Sequence, residues 1–508
     1  MHQLKIGWAR RDISTTKPVN IPGQFHTRVS EGILDPLTLT ALVLDDGEHA
    51  LVMVSVDTVL MLSDTIKLIR ARLAALCPEV DASRVIIHAT HTHAAAANYD
   101  GMAKAAQAFP VDPSITIEPV AVYRDFLAES AASAVAEAWR RRAPGGYAYG
   151  YGYAVVGHSR KTWYFDDLSL RPEMTGRPGV CVNGHARMYG QTNDPMFSHY
   201  EAGADHFVNL LFTFDQAGSL TGAIVNVACP SQCSEGISRL SASFWHETRQ
   251  MLRARFGDID LLPQCAPAGD ISPRILHYKD AQARRFQLKF DGRPEAFSEQ
   301  YIRHDIAERL AAAFAETLAW ARQDVRTQGR IETSSRKLQL PARPITDEEY
   351  QQEKALYDAM LQESFQKEGT PRERLTHDSV LAARRERSLG LLERYEEQRQ
   401  NPFFTMELHV AALDEVGFAV SPFELYMDYM HRIQARSPFV QTFNIQLGAN
   451  EYSSRYSGYL PTERAFMGKG YSASRYCNMV GPEGGQVLVE ETLGDLRLLH
   501  DRIRVAAT

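Results

Sequence analysis

The chain lacks the features that would tie it to a membrane, a nucleic acid or an oxidising compartment. None of its apolar runs approaches the roughly 18 residues that a membrane-spanning helix needs. Its 55 Lys and Arg against 62 Asp and Glu give a net charge of -7, so there is no basic surplus to neutralise a phosphate backbone. Cysteine is scarce, at six residues (Cys77, Cys181, Cys229, Cys233, Cys265 and Cys477). No CxxC pair occurs, and Cys229 and Cys233 have no second pair at zinc-knuckle spacing. Free thiols in a reducing compartment are the expectation. The opening Met-His-Gln-Leu-Lys-Ile has no apolar signal core, which points to the cytoplasm. Internal repeats and low-complexity stretches are absent as well.

What is present is ordinary globular material. Hydrophobic residues make up 44% and charged residues 23%, enough for a large core. A length of 508 residues suits one large domain with insertions. The pattern near the start predicts a hairpin, 37–44 and 50–56, around Asp45-Asp46-Gly47-Glu48. An amphipathic helix over 63–76 follows, with Ile66, Ile69 and Leu73 at helical spacing, and then a strand at 84–88. Strand, helix, strand makes a βαβ unit with parallel strands. Ligands gather beyond the carboxyl ends of such strands. Asp57 and the segment Ala89-Thr90-His91-Thr92-His93 stand there.

Further along, a helix is predicted over 123–142, stopped by Pro144-Gly145-Gly146. Strands follow at 147–156, 210–214, 223–228 and 261–264, with helices at 247–256 and 302–322. Residues 157–198 form a long polar loop with Arg160, Asp166, Asp167, Asn193 and Asp194, followed by His199, suited to a hydrophilic ligand. Residues 341–402 read as an inserted helical hairpin, opened by the capping box Thr346-Asp-Glu-Glu349 and broken at Gly369-Thr370-Pro371. It would cover a pocket or make a subunit contact, which leaves room for a homo-oligomer. Residues 406–413 and 417–420 form a hairpin that returns to the main sheet. The fold class is α/β: a mixed parallel and antiparallel sheet flanked by helices, 1–508 as a single domain.

His88-Ala-Thr-His91-Thr-His93 is the sharpest local feature. In an extended chain His91 and His93 share one face, and neutral imidazole is a good zinc ligand. The plain reading is three hydrogen-bonded loop histidines. Gly269-Asp270-Ile-Ser272-Pro273 is a turn that sets a serine near the same sheet edge, though turn chemistry alone explains it. Glu424 in Ser421-Pro-Phe-Glu424 is either a helix-start carboxylate or a metal ligand. Tyr456, Tyr459 and Tyr471 stand in aromatic loops.

In order, these pieces resemble the neutral (non-lysosomal) ceramidase family of zinc amidases. Gly7-Trp-Ala-Arg-Arg-Asp12 resembles that family's first strand, and Val54-Ser-Val-Asp57 its Val-Ser-Ala-Asp. Ala89-Thr-His91-Thr-His93 resembles Ala-Thr-His-Thr-His, with Ala94-Ala95-Ala96 in place of Ser-Gly-Pro. Gly269-Asp270-Ile-Ser272-Pro273 resembles Gly-Asp-Val-Ser-Pro, and Ser421-Pro-Phe-Glu424 resembles Pro-Gly-Glu-Phe. Asn450-Glu-Tyr-Ser-Ser with Tyr459-Leu-Pro-Thr and Tyr471 resembles its closing tyrosine motifs.

The resemblance implies a zinc ion, or another divalent metal, on His91, Glu424 and Tyr459. It implies His93 as proton shuttle near the substrate and Ser272 as the catalytic serine. Tyr471 and Arg160 would be substrate-contacting groups, with Asp57, Asp270 and His158 beside the substrate. The family's second zinc histidine is replaced by Cys229 in Ala228-Cys229-Pro230-Ser231-Gln232. Either that thiolate or His246 is the expected substitute, or the place is vacant. Little chain follows Tyr471, so the family's C-terminal immunoglobulin-like domain is not expected. The activity implied is metal-dependent hydrolysis of an amide or similar bond in a small polar substrate. Glycoside cleavage or lyase chemistry on the same fold, or a binding protein without metal, are the alternatives.

Overall fold

The computed structural model describes residues 2–100, 109–172, 183–290 and 298–505. Eight strands form the main sheet, in the spatial order Asp260–Cys265, Leu220–Val227, Phe207–Asp215, Ala143–Tyr153, Lys5–Asp12, Thr38–Asp45, Ala50–Val56 and Ile86–Ala89. The pairs at the two edges are parallel and the inner pairs antiparallel. The parallel edge Ala50–Val56 and Ile86–Ala89 is joined through the helix Ser63–Leu76, which buries Ile66, Ile69 and Leu73. That is the βαβ unit read from the sequence.

A second sheet, Ile331–Pro341, Phe403–Leu413, Val416–Val420 and Gln441–Ile445, stacks on the first. Leu42, Leu44, Met53, Leu211 and Leu262 of the main sheet meet Ile331, Leu413, Phe418 and Phe443 of the second in one apolar layer. The helices Ser63–Leu76, Val120–Arg141, Phe244–Phe256 and Glu299–Ala321 cover the outer face of the main sheet. Met427–Arg436 and Pro482–Val505 cover the outer face of the second. The result is four layers, helix on sheet on sheet on helix. The hairpin at 403–420 therefore belongs to a separate sheet and does not return to the main one. Alternating strands read alike in either sheet, because period 2 says which face is buried and not against what.

The helix ends at Arg141, just ahead of Pro144-Gly145-Gly146 as expected, but those three residues already lie inside the strand Ala143–Tyr153. A side chain at Gly145 would fall 2.4 Å from the Phe214 carbonyl oxygen, so the glycine serves close strand packing.

The insertion forms two helices, Asp347–Gln362 and Pro371–Gln398. Each opens with a capping box, Thr346 with Glu349 and Thr370 with Glu373. The second box makes Gly369-Thr370-Pro371 a helix start as well as a break. This hairpin leans on two segments, 23–28 and 471–478. Thr27 donates its N–H to Ser379 Oγ at 2.9 Å, and Arg394 donates to the carbonyls of Arg475 and Asn478, both at 2.8 Å. Among the described residues no helix is long and apolar enough to cross a membrane. Cys77, Cys229, Cys233, Cys265 and Cys477 are buried and form no disulfide among the described residues, while Cys181 lies outside them.

Candidate active site

The strand Ile86–Ala89 ends where the polar cluster begins. Beyond it the extended chain breaks. His91 adopts a left-handed backbone with φ 64°, which costs a β-carbon residue free energy and persists only where surroundings enforce it. Asp57 provides that enforcement. Its carboxylate accepts the Thr38 N–H at 2.8 Å, the Thr90 hydroxyl at 3.1 Å and the Arg249 guanidinium at 2.7 and 3.2 Å. Asp57 is wholly buried and braces the His91 turn through Thr90.

His91 Nδ1 lies 2.7 Å from the Val59 carbonyl oxygen, so Nδ1 donates there and Nε2 is the nitrogen turned to the cluster. Nε2 faces Glu424 Oε2 at 3.5 Å and His93 Nε2 at 3.3 Å. The two rings meet edge to face, 4.8 Å between centroids. They share a side as expected, through a turn and not through strand alternation. His88 points elsewhere, buried without a hydrogen-bond partner; burial lowers it to about 3.

Glu424 arrives from the far end of the chain. The short strands Glu424–Leu425 and Tyr459–Leu460 pair in parallel with Glu424 opposite Tyr459, so carboxylate and phenol stand side by side. Glu424 also accepts the Tyr456 hydroxyl. Burial alone would raise its carboxyl, yet His91, Arg160 and Tyr456 outweigh that and hold it at about 2. Arg160 is buried among them. One of its terminal nitrogens donates to the Gly269 carbonyl at 2.8 Å, to Tyr459 Oη at 3.1 Å and to Glu424 Oε2 at 3.4 Å. Tyr471 packs its ring edge-on to Tyr459 and to Phe25.

Other expected residues lie outside this cluster. Cys229 turns its thiol to the carbonyls of Pro230 at 3.5 Å and Val156 at 3.7 Å. Burial pushes that thiol well up, so it stays protonated. His246 sits at the start of Phe244–Phe256, and no described contact joins its ring to His91, Glu424 or Tyr459. Ser272 Oγ accepts the Arg274 N–H at 3.2 Å. Among the described residues no histidine or carboxylate hydrogen-bonds to it, so it lacks the base a serine nucleophile needs. Asp270 is wholly buried and accepts the Met427 N–H at 3.1 Å; burial raises it to about 6. His158 lines a separate cavity with Tyr278, Phe286 and Arg309.

The described residues of the polar loop mostly hold one another. Asp166 and Asp194 clamp Arg171, Asp167 caps the turn Leu168–Leu170, and His199 stacks on Trp163.

Sequence reading missed four neighbours. Gln232 Nε2 lies 2.7 Å from His93 Nε2, and Glu235 Oε2 lies 3.6 Å from His93 Nδ1. Arg274 pairs with Glu235 at 2.7 Å, and Tyr189 Oη lies 3.4 Å from Arg160. Gln232 stands three residues past Cys229, the one position where a signal was available.

An imidazole nitrogen, a carboxylate and a phenol stand in this cluster, donor types that metal sites use. Open catalytic zinc sites use three protein ligands. Among the described residues no three His, Cys, Asp or Glu side chains close around one point. His91 is instead the shared corner of two pairs, with Glu424 and with His93.

No protein-family model matches the chain, and no curated protein matches it significantly. By structure it falls in the class of layered α/β proteins with a polar centre at the sheet ends. Its fold is that of the neutral ceramidases. A crystal structure of neutral ceramidase from Pseudomonas aeruginosa superposes with a TM-score of 0.65 at 16% identity, over 99% of this chain and 75% of that one. A ceramidase complexed with C2 gives a TM-score of 0.63 at 14% identity, over 99% and 76%.

Proposed function

We propose that the chain is a hydrolase of the ceramidase type that cleaves an amide or related bond in a small polar substrate with the help of a divalent cation, zinc in the first instance. The observation that carries this reading is the approach of His91 Nε2 to Glu424 Oε2 at 3.5 Å, from opposite ends of the chain and through a strained backbone. His91, Glu424 and Tyr459 would hold the ion. Bound there, zinc polarises a carbonyl and lowers the pKa of its water from about 15.7 toward 7.

The chain's own groups support the same chemistry. Val59 keeps the proton of His91 on Nδ1. Arg160, aligned on Tyr459 and Glu424, presents a fixed positive charge to an oxygen of the substrate. Tyr471 and Phe25 supply an aromatic wall. Arg160, Tyr189, Gln232 and Arg274 make the surroundings polar, which favours a hydrophilic substrate over a fatty chain.

The test is a panel of N-acyl amides and glycosides offered to the zinc-loaded chain, before and after chelation. Amide hydrolysis that stops on chelation and is absent from His91→Ala supports the proposal. Glycoside cleavage, or amide cleavage indifferent to chelator, contradicts it.

A further inference from the structure

We propose that the cavity lined by His158 and Arg309 is a second binding site, for a small carboxylic acid with an apolar body. It stands apart from the reaction proposed above, and none of His91, His93, Glu424 or Tyr459 lines it.

Two helices build the cavity. On Glu299–Ala321, Ile302, Asp305 and Arg309 follow one another at three and four residues, so they share one face. Lys279–Lys289 contributes Arg285 and Phe286. Pro273 and Ile275 close the side next to the strand Ile271–Ser272. The enclosed volume is about 320 Å³, within the range of about 300–1,000 Å³ of small-molecule pockets. Phe286, Ile302 and Pro273 are buried and Ile275 is half-buried, so the walls are largely apolar.

The charges on these walls favour an anion. Arg285 at 2.8 Å, Lys289 at 2.7 Å and Arg309 at 3.0 Å crowd onto the single carboxylate of Asp305. Lys289 also reaches Glu308, so three cations share two carboxylates among the described residues. Arg309 Nε is buried with no hydrogen-bond partner among the described residues. A buried donor left unmade costs free energy, and a guanidinium offers a carboxylate a planar fork. Burial lowers Arg309 below its ordinary pKa even though Asp305 pulls the other way. His158 is held at about 4 by burial first and then by Arg309, His206 and His277, so the ring is neutral in a positive field.

The cavity mouth carries backbone strain. Tyr278, just ahead of Lys279–Lys289, has φ 59° and holds its ring 70% exposed while lining the cavity. His277 Nδ1 anchors that turn, 2.8 Å from Tyr200 Oη. A bulky residue kept in this region is an outlier of the sort found at ligand clamps. An apolar body would lie against Phe286 and Tyr278 while its carboxylate meets Arg309. A neutral apolar molecule would leave Arg309 unserved, and a small inorganic anion would leave the walls bare.

The test uses the whole chain and reads binding, not turnover. Fluorine NMR follows para-fluorobenzoate, with para-fluorobenzamide as its neutral partner and trifluoroacetate as an anion without the ring. Fluorobenzoate should bind at least ~10-fold more tightly than either, a comparison that needs no variant. Arg309→Met should weaken it at least ~10-fold, the loss of a charge-assisted hydrogen bond. Ile275→Trp, which fills the cavity without changing charge, should do the same, and it decides the matter where circular dichroism shows Arg309→Met misfolded. Arg160→Met should keep wild-type affinity, because that guanidinium belongs to the other centre. No binding in the wild type, equal binding of the amide, wild-type affinity in a folded Arg309→Met or Ile275→Trp, or loss in Arg160→Met overturns the proposal.

Discussion

Two carboxylates in this molecule are held at about 2 by the same kinds of partner, yet their surroundings differ. Glu407 lies in the strand Phe403–Leu413 and Glu424 in a two-residue strand at a loop. Each faces one histidine and one arginine. For Glu407 these are His409 at 2.6 Å and Arg70, whose two terminal nitrogens take one carboxylate oxygen each at 2.6 and 3.0 Å. For each, burial would raise the carboxyl and the cationic neighbours outweigh it.

The difference lies in what holds the partners. His409 sits two residues along a regular strand, and Arg70 forks onto Glu407 while also reaching Glu451. That arrangement is a closed ion cluster between elements. At Glu424 the histidine is in a left-handed turn, and its nitrogen faces another imidazole instead of a proton donor of settled identity. A perturbed carboxylate alone therefore does not mark a site; a partner held in a strained backbone is the further sign.

The largest effect is expected from His91→Ala. It should lower turnover at least about 1,000-fold, as expected on losing one member of a catalytic unit. Alanine keeps a β-carbon in the left-handed turn, so the strain stays and stability should be unchanged or slightly lower, measured by urea unfolding. Glu407→Gln should do the reverse. Leaving Arg70 without its buried partner should cost about 3–5 kcal/mol, with kcat/KM within a few-fold of wild type.

A smaller effect is acid sensitivity. Both folded carboxyls titrate at about 2, below the ordinary 4.5, so the stability they contribute is full above 4.5. It is lost as pH falls from 4.5 toward 2, because the unfolded chain binds protons first. The urea midpoint should drop across that window, and less steeply in Glu407→Gln. The smallest effect is Thr370→Ala, which removes one capping box of the inserted hairpin and should cost ~1 kcal/mol without altering zinc binding.

The parts legible in the sequence are those with local causes. Ser63–Leu76 shows its buried face through Ile66, Ile69 and Leu73, and Thr346 with Glu349 announces a helix start. His91, Glu424 and Tyr459 were legible through the motifs they sit in. Gln232, Glu235 and Tyr189 were not, because their place depends on how distant loops pack and no spacing rule encodes that. The second sheet was missed for a related reason: strand periodicity shows that a face is buried without naming the layer that covers it.

The proposed function puts one cation among His91, Glu424 and Tyr459 and none at the similar cluster around Glu407. Zinc content after loading and desalting, measured by mass spectrometry on Glu424→Gln and Glu407→Gln side by side, tests it most directly. About one zinc per chain is expected in the wild type and Glu407→Gln, as for a single catalytic site, and none in Glu424→Gln. Equal zinc in the two variants would contradict it.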